Sequence, residues 1–369
     1  MRVLIVTRPW SFHGGIETAT AGILRGLVEH GDDVHVLTPG APPPVPGVTV
    51  HPVRVPPLPA AGRVVAFALL ARRAAQRGRW DIVQTHERTL GAHVYRAGEG
   101  CHRAYLEHRE DRGGRALYHR VVLALERRVF AETPAIVAIA KIGRDEIRRL
   151  YRVANERVTV VYNGVDLERF HPANRARHRD ATRAEAGVPA AARVMLFVGS
   201  GFARKGLATA FDALAALDDP SARLLVIGKG DTADYRALAA RRGLADRIVW
   251  LGPRTDVERW YAAADAVVLP ARYEPFGNVH LEALASGVPM LTSSRAGGAE
   301  IITDGVNGAV REPHDGAAFA DAFRKLIEVP EGERVARARA SAEPYTYARQ
   351  VVELRAVWSG KTRAKGEFA

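Results

Sequence analysis

At 369 residues the chain is too long for one ordinary hydrophobic core, so two domains of roughly 150–200 residues are expected. Its 47% hydrophobic and 25% charged content is that of a globular protein, and a single cysteine, Cys101, excludes an intrachain disulfide and fits a reducing compartment. A net charge of +12 calls for an anionic partner or reflects an arginine-rich coding bias, but no zinc-finger spacing, aromatic RNA-binding signature or basic tail points to nucleic acid.

M-R-V-L-I-V-T reads as a first strand, Val3–Thr7, with an apolar run too short for a signal peptide. Further strands are predicted at Val34–Thr38, Val48–Val55, Ile82–Thr85, Ile136–Ile139 and Val158–Tyr162. Helical patterns lie between them at Thr18–His30, Arg63–Arg77, Arg115–Ala131 and Arg144–Tyr151, and Pro39–Pro46 is a loop. The alternation then restarts, with strands at Val194–Val198, Leu224–Ile227, Ile248–Leu251, Ala266–Leu269 and Pro289–Thr292. Helices are predicted at Lys205–Leu217, Ala233–Arg242, Val257–Ala264, Phe276–Ala285 and Gly316–Ile327. This is α/β patterning for two Rossmann-like domains with parallel sheets, residues 1–165 and 166–344. The closing helical stretch Thr346–Trp358 has no strand of its own, so 345–369 would pack back on the first domain. Two such domains facing each other would form a cleft at the carboxyl ends of their strands. No uncharged apolar run approaches the length of a membrane span. The positive charge is uneven: residues 1–165 hold 24 Lys plus Arg against 15 Asp plus Glu, and the rest hold 29 against 26.

Gly14-Gly15 in W-S-F-H-G-G-I-E opens a helix, where backbone can approach an anion or a sugar. It is not G-x-G-x-x-G, so dinucleotide binding is not supported. In R-A-G-E-G-C-H-R, Glu99 and His102 are each a polar group for a reaction centre or a satisfied loop residue. In G-S-G-F-A-R-K-G, Arg204 and Lys205 stand where a helix should begin, against its dipole. They form either a solvated basic turn or a seat for an anion such as a diphosphate. The run E-P-F-G-N-V-H-L-E holds Glu274 and Glu282. Glu282 interrupts an apolar helical pattern, where a carboxylate is costly unless hydrogen-bonded, and a ribose diol would satisfy it. Glu274 precedes Phe276-Gly277-Asn278 at the helix start, where free backbone N–H groups accompany a carboxylate able to hold sugar hydroxyls. No D-x-D pair and no His/Cys/Asp cluster with metal spacing occurs, so Arg204 and Lys205 would stand in for Mg²⁺ beside a leaving diphosphate.

Together these residues resemble the family 4 retaining glycosyltransferases of GT-B fold. Gly14-Gly15, Y-N-G-V-D at Tyr162–Asp166, Arg204-Lys205-Gly206, V-I-G-K-G at Val226–Gly230, Glu274 with Glu282, and A-S-G-V-P at Ala285–Pro289 carry the resemblance, which spans nearly the whole chain. It implies that Glu282 holds the ribose of a nucleotide sugar and that Glu274 binds the donor sugar, with backbone N–H groups from Phe276, Gly277 and Asn278. It also implies that Arg204 and Lys205 neutralise the diphosphate, that Arg254 lies near the base, and that transfer is metal-independent. Many relatives place a histidine or aspartate of the site after the fourth strand; here Glu99 and His102 both remain open for that position. Pro275 and Asn278 depart from the commonest family pattern.

Within the family, G-S-G-F-A-R-K-G and G-E-G-C-H-R-A-Y-L-E most resemble the heptose-modifying lipopolysaccharide core glucosyltransferases. The resemblance implies UDP-glucose as donor, an anionic lipid-linked saccharide as acceptor, and a cytoplasmic location at the inner membrane. Residues 102–131 carry Arg103, Arg109, Arg112, Arg115, Arg120, Arg127 and Arg128, a basic amphipathic stretch suited to an anionic bilayer. The same stretch can instead pack Val121, Leu125 and Val129 into its own domain. The alternatives are a mannosyl- or N-acetylhexosaminyltransferase on the same fold, and a sugar-binding protein without catalysis. Oligomeric state is not readable.

Overall fold

In the computed structural model, residues 1–8, 15–109 and 116–362 are described. The chain divides into two compact units, Met1–Gly164 with Tyr347–Ala369, and Val165–Thr346. In the first, strands β1 (Arg2–Val6), β2 (Asp33–Pro39), β3 (Val48–Val53), β4 (Ile82–Thr85), β5 (Val94–Ala97), β6 (Ala135–Ala138) and β7 (Val158–Val160) form a parallel sheet. Their order is β3-β2-β1-β4-β5-β6-β7. The runs V-L-I-V, I-V-Q-T and A-I-V-A are buried because helices cover both faces, as a parallel sheet requires. These helices are α1 (Gly15–Glu29), α2 (Ala60–Arg77), α3 (His102–Glu107), α4 (Ala116–Glu132) and α5 (Lys141–Tyr151).

The second unit repeats the plan with β8 (Val194–Val198), β9 (Arg223–Ile227), β10 (Ile248–Gly252), β11 (Ala266–Leu269), β12 (Met290–Ser293) and β13 (Gly308–Arg311), in the order β10-β9-β8-β11-β12-β13. Around it lie α6 (Ala173–Glu185), α7 (Phe202–Lys205), α8 (Leu207–Ala216), α9 (Thr232–Arg241), α10 (Val257–Ala263), α11 (Val279–Ala285), α12 (Gly316–Glu328) and α13 (Glu331–Ala342). The last helix, α14 (Tyr347–Thr362), belongs to the first unit. There Val351, Leu354 and Trp358 join Val3, Ile5, Ile23, Leu24 and Leu27 in one core cluster.

Several elements differ from the sequence expectation. The predicted helix Lys205–Leu217 is two helices broken at Gly206, so Arg204 and Lys205 end the one-turn α7 rather than begin a helix. Two cations at a helix C-terminus agree with its dipole, which removes the expected conflict. The helix predicted from Phe276 begins at Val279, because Gly277 has φ +82° and Phe276 is buried in the core. In α4 the buried face is Val122, Glu126, Val129 and Phe130; of the expected Val121, Leu125 and Val129 only Val129 is buried, and the other two are half-buried. Helices α3, α6 and α13 and strand β13 were not anticipated.

Helix α6 lacks an apolar stripe; charge holds it in place. Arg175, Arg179 and Arg183, spaced one turn apart, donate to Asp265 at 3.3, 2.8 and 3.0 Å. Arg183 also donates to the Ala263 carbonyl at the end of α10, at 3.0 Å. Burial disfavours the Asp265 charge, but Arg179 and Arg183 outweigh it and hold the carboxyl below its ordinary range.

Trp358 is fully buried and its indole N–H donates to Gln84 at 2.9 Å. Trp358→Ala should therefore cost about 3–5 kcal/mol in urea-induced unfolding, since it opens a cavity and strands the Gln84 carbonyl oxygen. Val352→Ala on the same helix, at a site 58% exposed, should stay within about 0.5 kcal/mol. Equal losses from the two variants would mean that α14 is not anchored through its tryptophan.

Candidate active site

In the second sheet the strand order reverses between β8 and β11, the switch point where open α/β sheets bind ligands. The loops that follow these two strands carry Arg204-Lys205 and Glu274. Lys205 Nζ donates to Glu274 Oε2 at 2.6 Å, and Arg204 Nη1 donates to the same oxygen at 3.0 Å and to the Tyr273 carbonyl at 2.8 Å. The Arg272 N–H donates to the Arg204 carbonyl at 2.8 Å and ties the loops together. Gly206 has φ +76°, and a Cβ there would lie 1.9 Å from the Pro270 carbonyl oxygen, so only glycine lets α7 end against β11. Burial works against the Glu274 charge, but Lys205 and Arg204 prevail and bring its pKa down to about 2.

Glu274 is held from the other side as well. Its N–H donates to the Arg295 carbonyl at 3.2 Å, and its carbonyl accepts from Gly297 at 2.8 Å. His280 lies fully buried beneath this loop, with Nδ1 2.7 Å from the Gly277 carbonyl and Nε2 2.7 Å from the Thr292 hydroxyl. A carbonyl only accepts, so Nδ1 carries the proton and the neutral ring accepts at Nε2. Burial lowers the His280 pKa to about 4 and keeps it neutral. One turn on, half-buried Glu282 accepts the Tyr261 hydroxyl at 2.7 Å. Burial raises the Glu282 pKa, against the opposing pull of that hydrogen bond.

The expected binding residues therefore group unequally. Arg204, Lys205 and Glu274 meet directly, and Gly277, Asn278 and Glu282 follow on the same loop and helix. Arg254 stands apart after β10: it makes a two-point pair with Asp256 at 2.9 and 2.8 Å, reaches Glu185 at 3.3 Å and covers the Trp260 ring. Gly15 is the first residue of α1, whereas Gly14 lies outside the described residues, as do Arg112 and Arg115.

The first sheet reverses its order between β1 and β4, and a ladder of alternating charge crosses that point. Arg8, just after β1, pairs with Glu87 at 2.8 Å and with Glu99 at 2.7 Å. Arg88 pairs with Glu99 and with Glu126, each at 3.0 Å. Burial would raise Glu99, but Arg8 and Arg88 hold it below the ordinary range, while burial wins at Glu87 and raises it. The segment that follows the fourth strand is His86-Glu87-Arg88; Glu99 and His102 follow the fifth, which corrects the position considered for them. His86 is buried between Gln84 and Thr20. The His102 ring stacks on His119, 3.0 Å from Nε2 to Nδ1, and burial lowers its pKa to about 4.

Sequence reasoning missed Tyr261, His280, Arg8, Glu87, Arg88 and Glu126. Glu126 is wholly buried and accepts the first two N–H groups of α3, from His102 at 2.7 Å and Arg103 at 3.2 Å, and the Tyr151 hydroxyl. Its signal was a carboxylate inside V-V-L-A-L-E-R-R-V-F, the same kind of interruption that marks Glu282. Among the described residues no three His, Cys, Asp or Glu side chains converge as a metal-ligand set, and no helix is long and apolar enough to cross a membrane.

A family model described as Glycosyltransferase Family 4 matches residues 13–169, and one described as Glycosyl transferases group 1 matches residues 178–343. Among curated relatives, an uncharacterized glycosyltransferase of Methanocaldococcus jannaschii is 28% identical, covering 84% of each chain. A D-inositol 3-phosphate glycosyltransferase of Xylanimonas cellulosilytica is 29% identical over 95% of this chain and 93% of its own. Among solved structures, WaaG, a glycosyltransferase involved in lipopolysaccharide biosynthesis, superposes with a TM-score of 0.79 at 24% identity, covering 96% of this chain and 98% of its own. Anabaena HepE in complex with UDP and glucose gives 0.76 at 19% identity, covering 97% and 99%. These structures share the fold of two Rossmann-like α/β domains. With one model on each unit and most of the sequence matched between them, the chain belongs to the family 4 glycosyltransferases of GT-B fold.

Proposed function

We propose that the protein transfers a hexose from a nucleotide sugar, UDP-glucose first, to an anionic saccharide, with retention and without a metal. The observation that carries this reading is the convergence of Lys205 and Arg204 on one oxygen of Glu274 at the sheet's switch point. Two cations face one carboxylate there, so one positive charge is left for an incoming diphosphate. When the diphosphate takes the cations, Glu274 is freed to accept hydroxyls of the donor sugar. Glu282, oriented by Tyr261, accepts the ribose diol. As the bond from the sugar C1 to the leaving phosphate breaks, its electron pair passes to the phosphate oxygen beside Arg204 and Lys205. The acceptor oxygen forms its bond to C1 on the same face, and its proton passes to that phosphate.

The preferred acceptor is a lipid-linked, phosphorylated core saccharide at the cytoplasmic face of an anionic membrane. The charge excess of residues 1–165 and the fold shared with WaaG support it. A second reading keeps the donor site and changes the acceptor to a small phosphorylated polyol, in line with the D-inositol 3-phosphate glycosyltransferases among its relatives. Incubation with UDP-glucose and, separately, heptose-containing core saccharide or inositol phosphate separates the two. Product on the first alone supports the lipopolysaccharide reading, and product on the second alone replaces it. Absence of both transfer and slow hydrolysis across a panel of nucleotide sugars would sink the enzymatic proposal.

The site gives two sharper expectations. Glu282→Gln should weaken UDP and UDP-glucose alike by roughly tenfold or more in calorimetry, because both carry ribose, whereas Glu274→Gln should weaken UDP-glucose more than UDP. Unchanged UDP affinity in Glu282→Gln would remove the ribose assignment. Arg204→Gln should lower kcat by roughly a hundredfold while shifting Tm little, since its side chain is a third exposed.

The pH response follows from His280. Its folded pKa, about 4, lies below its ordinary 6.5, so the unfolded chain binds the extra proton between these values. Stability is then full above pH ~6.5 and falls as the pH drops toward 4. His280→Gln should lessen the slope of that part of the stability profile measured by urea titration, His102 with its own pKa of about 4 supplying a remainder; an unaltered slope would mean that His280 does not contribute.

A further inference from the structure

The side chains of β1, β2 and β3 that face α2 break the rule that a covered sheet face is apolar. Register places Leu4 beside His35 and Leu37 between Val6 and His51, on the face opposite Val3, Ile5, Val34 and Val36. Two histidines thus stand under a helix, where leucine or valine would pack better. Their rings stack, with His35 Nδ1 2.9 Å from His51 Nε2, and the edge of Trp80 closes on both. Helix α2 brings mainly alanine to this layer, burying Ala68, Ala71 and Ala75. The layer is left unfilled.

The space is a solvent-open pocket of about 460 Å³, within the size range of small-molecule sites. Leu4, Leu37, Val53, Leu70 and Ala74 line it with apolar surface, and Trp80 adds its indole ring. Arg54, Arg73 and Arg77 supply the remaining charge, and no carboxylate lines the space. Among the described residues no acid pairs with any of the three. Asp33, at the start of β2, pairs with Arg2 and His35, and Asp81, just before β4, accepts the Arg2 N–H. An apolar pocket with an unbalanced cationic rim fits one kind of occupant. Its body is slender and apolar, and its end is an anion.

We propose that the space between α2 and β1–β3 binds an amphipathic anion, an acyl or alkyl chain ending in a carboxylate or a phosphate. The chain lies along Leu4, Leu37, Leu70 and Ala74, and the anionic end meets Arg54, Arg73 and Arg77. The Arg stems add apolar cover while their guanidiniums stay in water. This site lies wholly within the first unit and does not depend on the proposed transfer reaction.

Calorimetry on the full chain tests it with four probes: decanoate, decyl phosphate, decanol and inorganic phosphate. Decanoate, decyl phosphate or both should bind saturably and raise Tm, with preference between them identifying the head group. Decanol and inorganic phosphate should each bind roughly tenfold more weakly than the better amphiphile, since each lacks half of the recognised chemistry. Ala74→Trp should fill the cavity and abolish binding. The double variant Arg73→Glu, Arg77→Glu changes only exposed side chains, and should weaken the anions by roughly tenfold or more while leaving UDP affinity unchanged. The proposal fails if neither amphiphile binds, if decanol binds as well as decanoate, or if the double-arginine variant retains full affinity. That last variant decides the matter even if Ala74→Trp does not fold.

Discussion

The second unit is organised around one buried carboxylate that two cations share. An isolated charge at the depth of Glu274 would neutralise. Glu274 keeps its charge because Lys205 and Arg204 are there, so the loops after β8 and β11 must meet in a single register. The glycine that ends α7, the backbone link from Arg272 to Arg204 and the neutral His280 under the following turn all serve that register. The arrangement is costly to build, and the proposed diphosphate would offset that cost by pairing with the cations.

The first unit uses the same physics with more members. From Arg8 to Glu126 the charges alternate, so each side chain is held by neighbours of opposite sign and none is left to solvent screening alone. Glu126 ends the ladder in the core, where it also caps α3 through two backbone N–H groups. A single carboxylate there positions a helix, a tyrosine and an arginine. It thereby links the segment after β5 to α4, the helix whose outer face is rich in arginine.

Much of the strand pattern was legible because each strand is a short β-branched run, buried on both sides and bounded by turns. Val194–Val198 and Ala266–Leu269 occur as the sequence suggests, and so does Ile82–Thr85. Helix α6 was illegible for a physical reason: its stripe is Arg175, Arg179 and Arg183 rather than apolar residues, and only the distant Asp265 gives the stripe a meaning. The apparent conflict of Arg204 and Lys205 with a helix dipole came from reading one helix where Gly206 makes two. Glu274 and Glu282 stood out in sequence, but their partners did not. Lys205 is 69 residues from Glu274 and Tyr261 is 21 from Glu282, and no local period relates them.

The return of α14 to the first unit has a consequence for how the chain is made. Trp358 and Gln84, whose hydrogen bond closes that core, are separated by 274 residues, and the whole second unit is synthesised between them. Within the second unit, the N–H of Val165 bonds to the carbonyl of Tyr345, so its two ends lie side by side. That unit can complete its core while the chain is still growing. The first, although begun earlier, must wait for the final helix to leave the ribosome. Deleting residues 347–369 would therefore undo the oldest part of the molecule and spare the younger one.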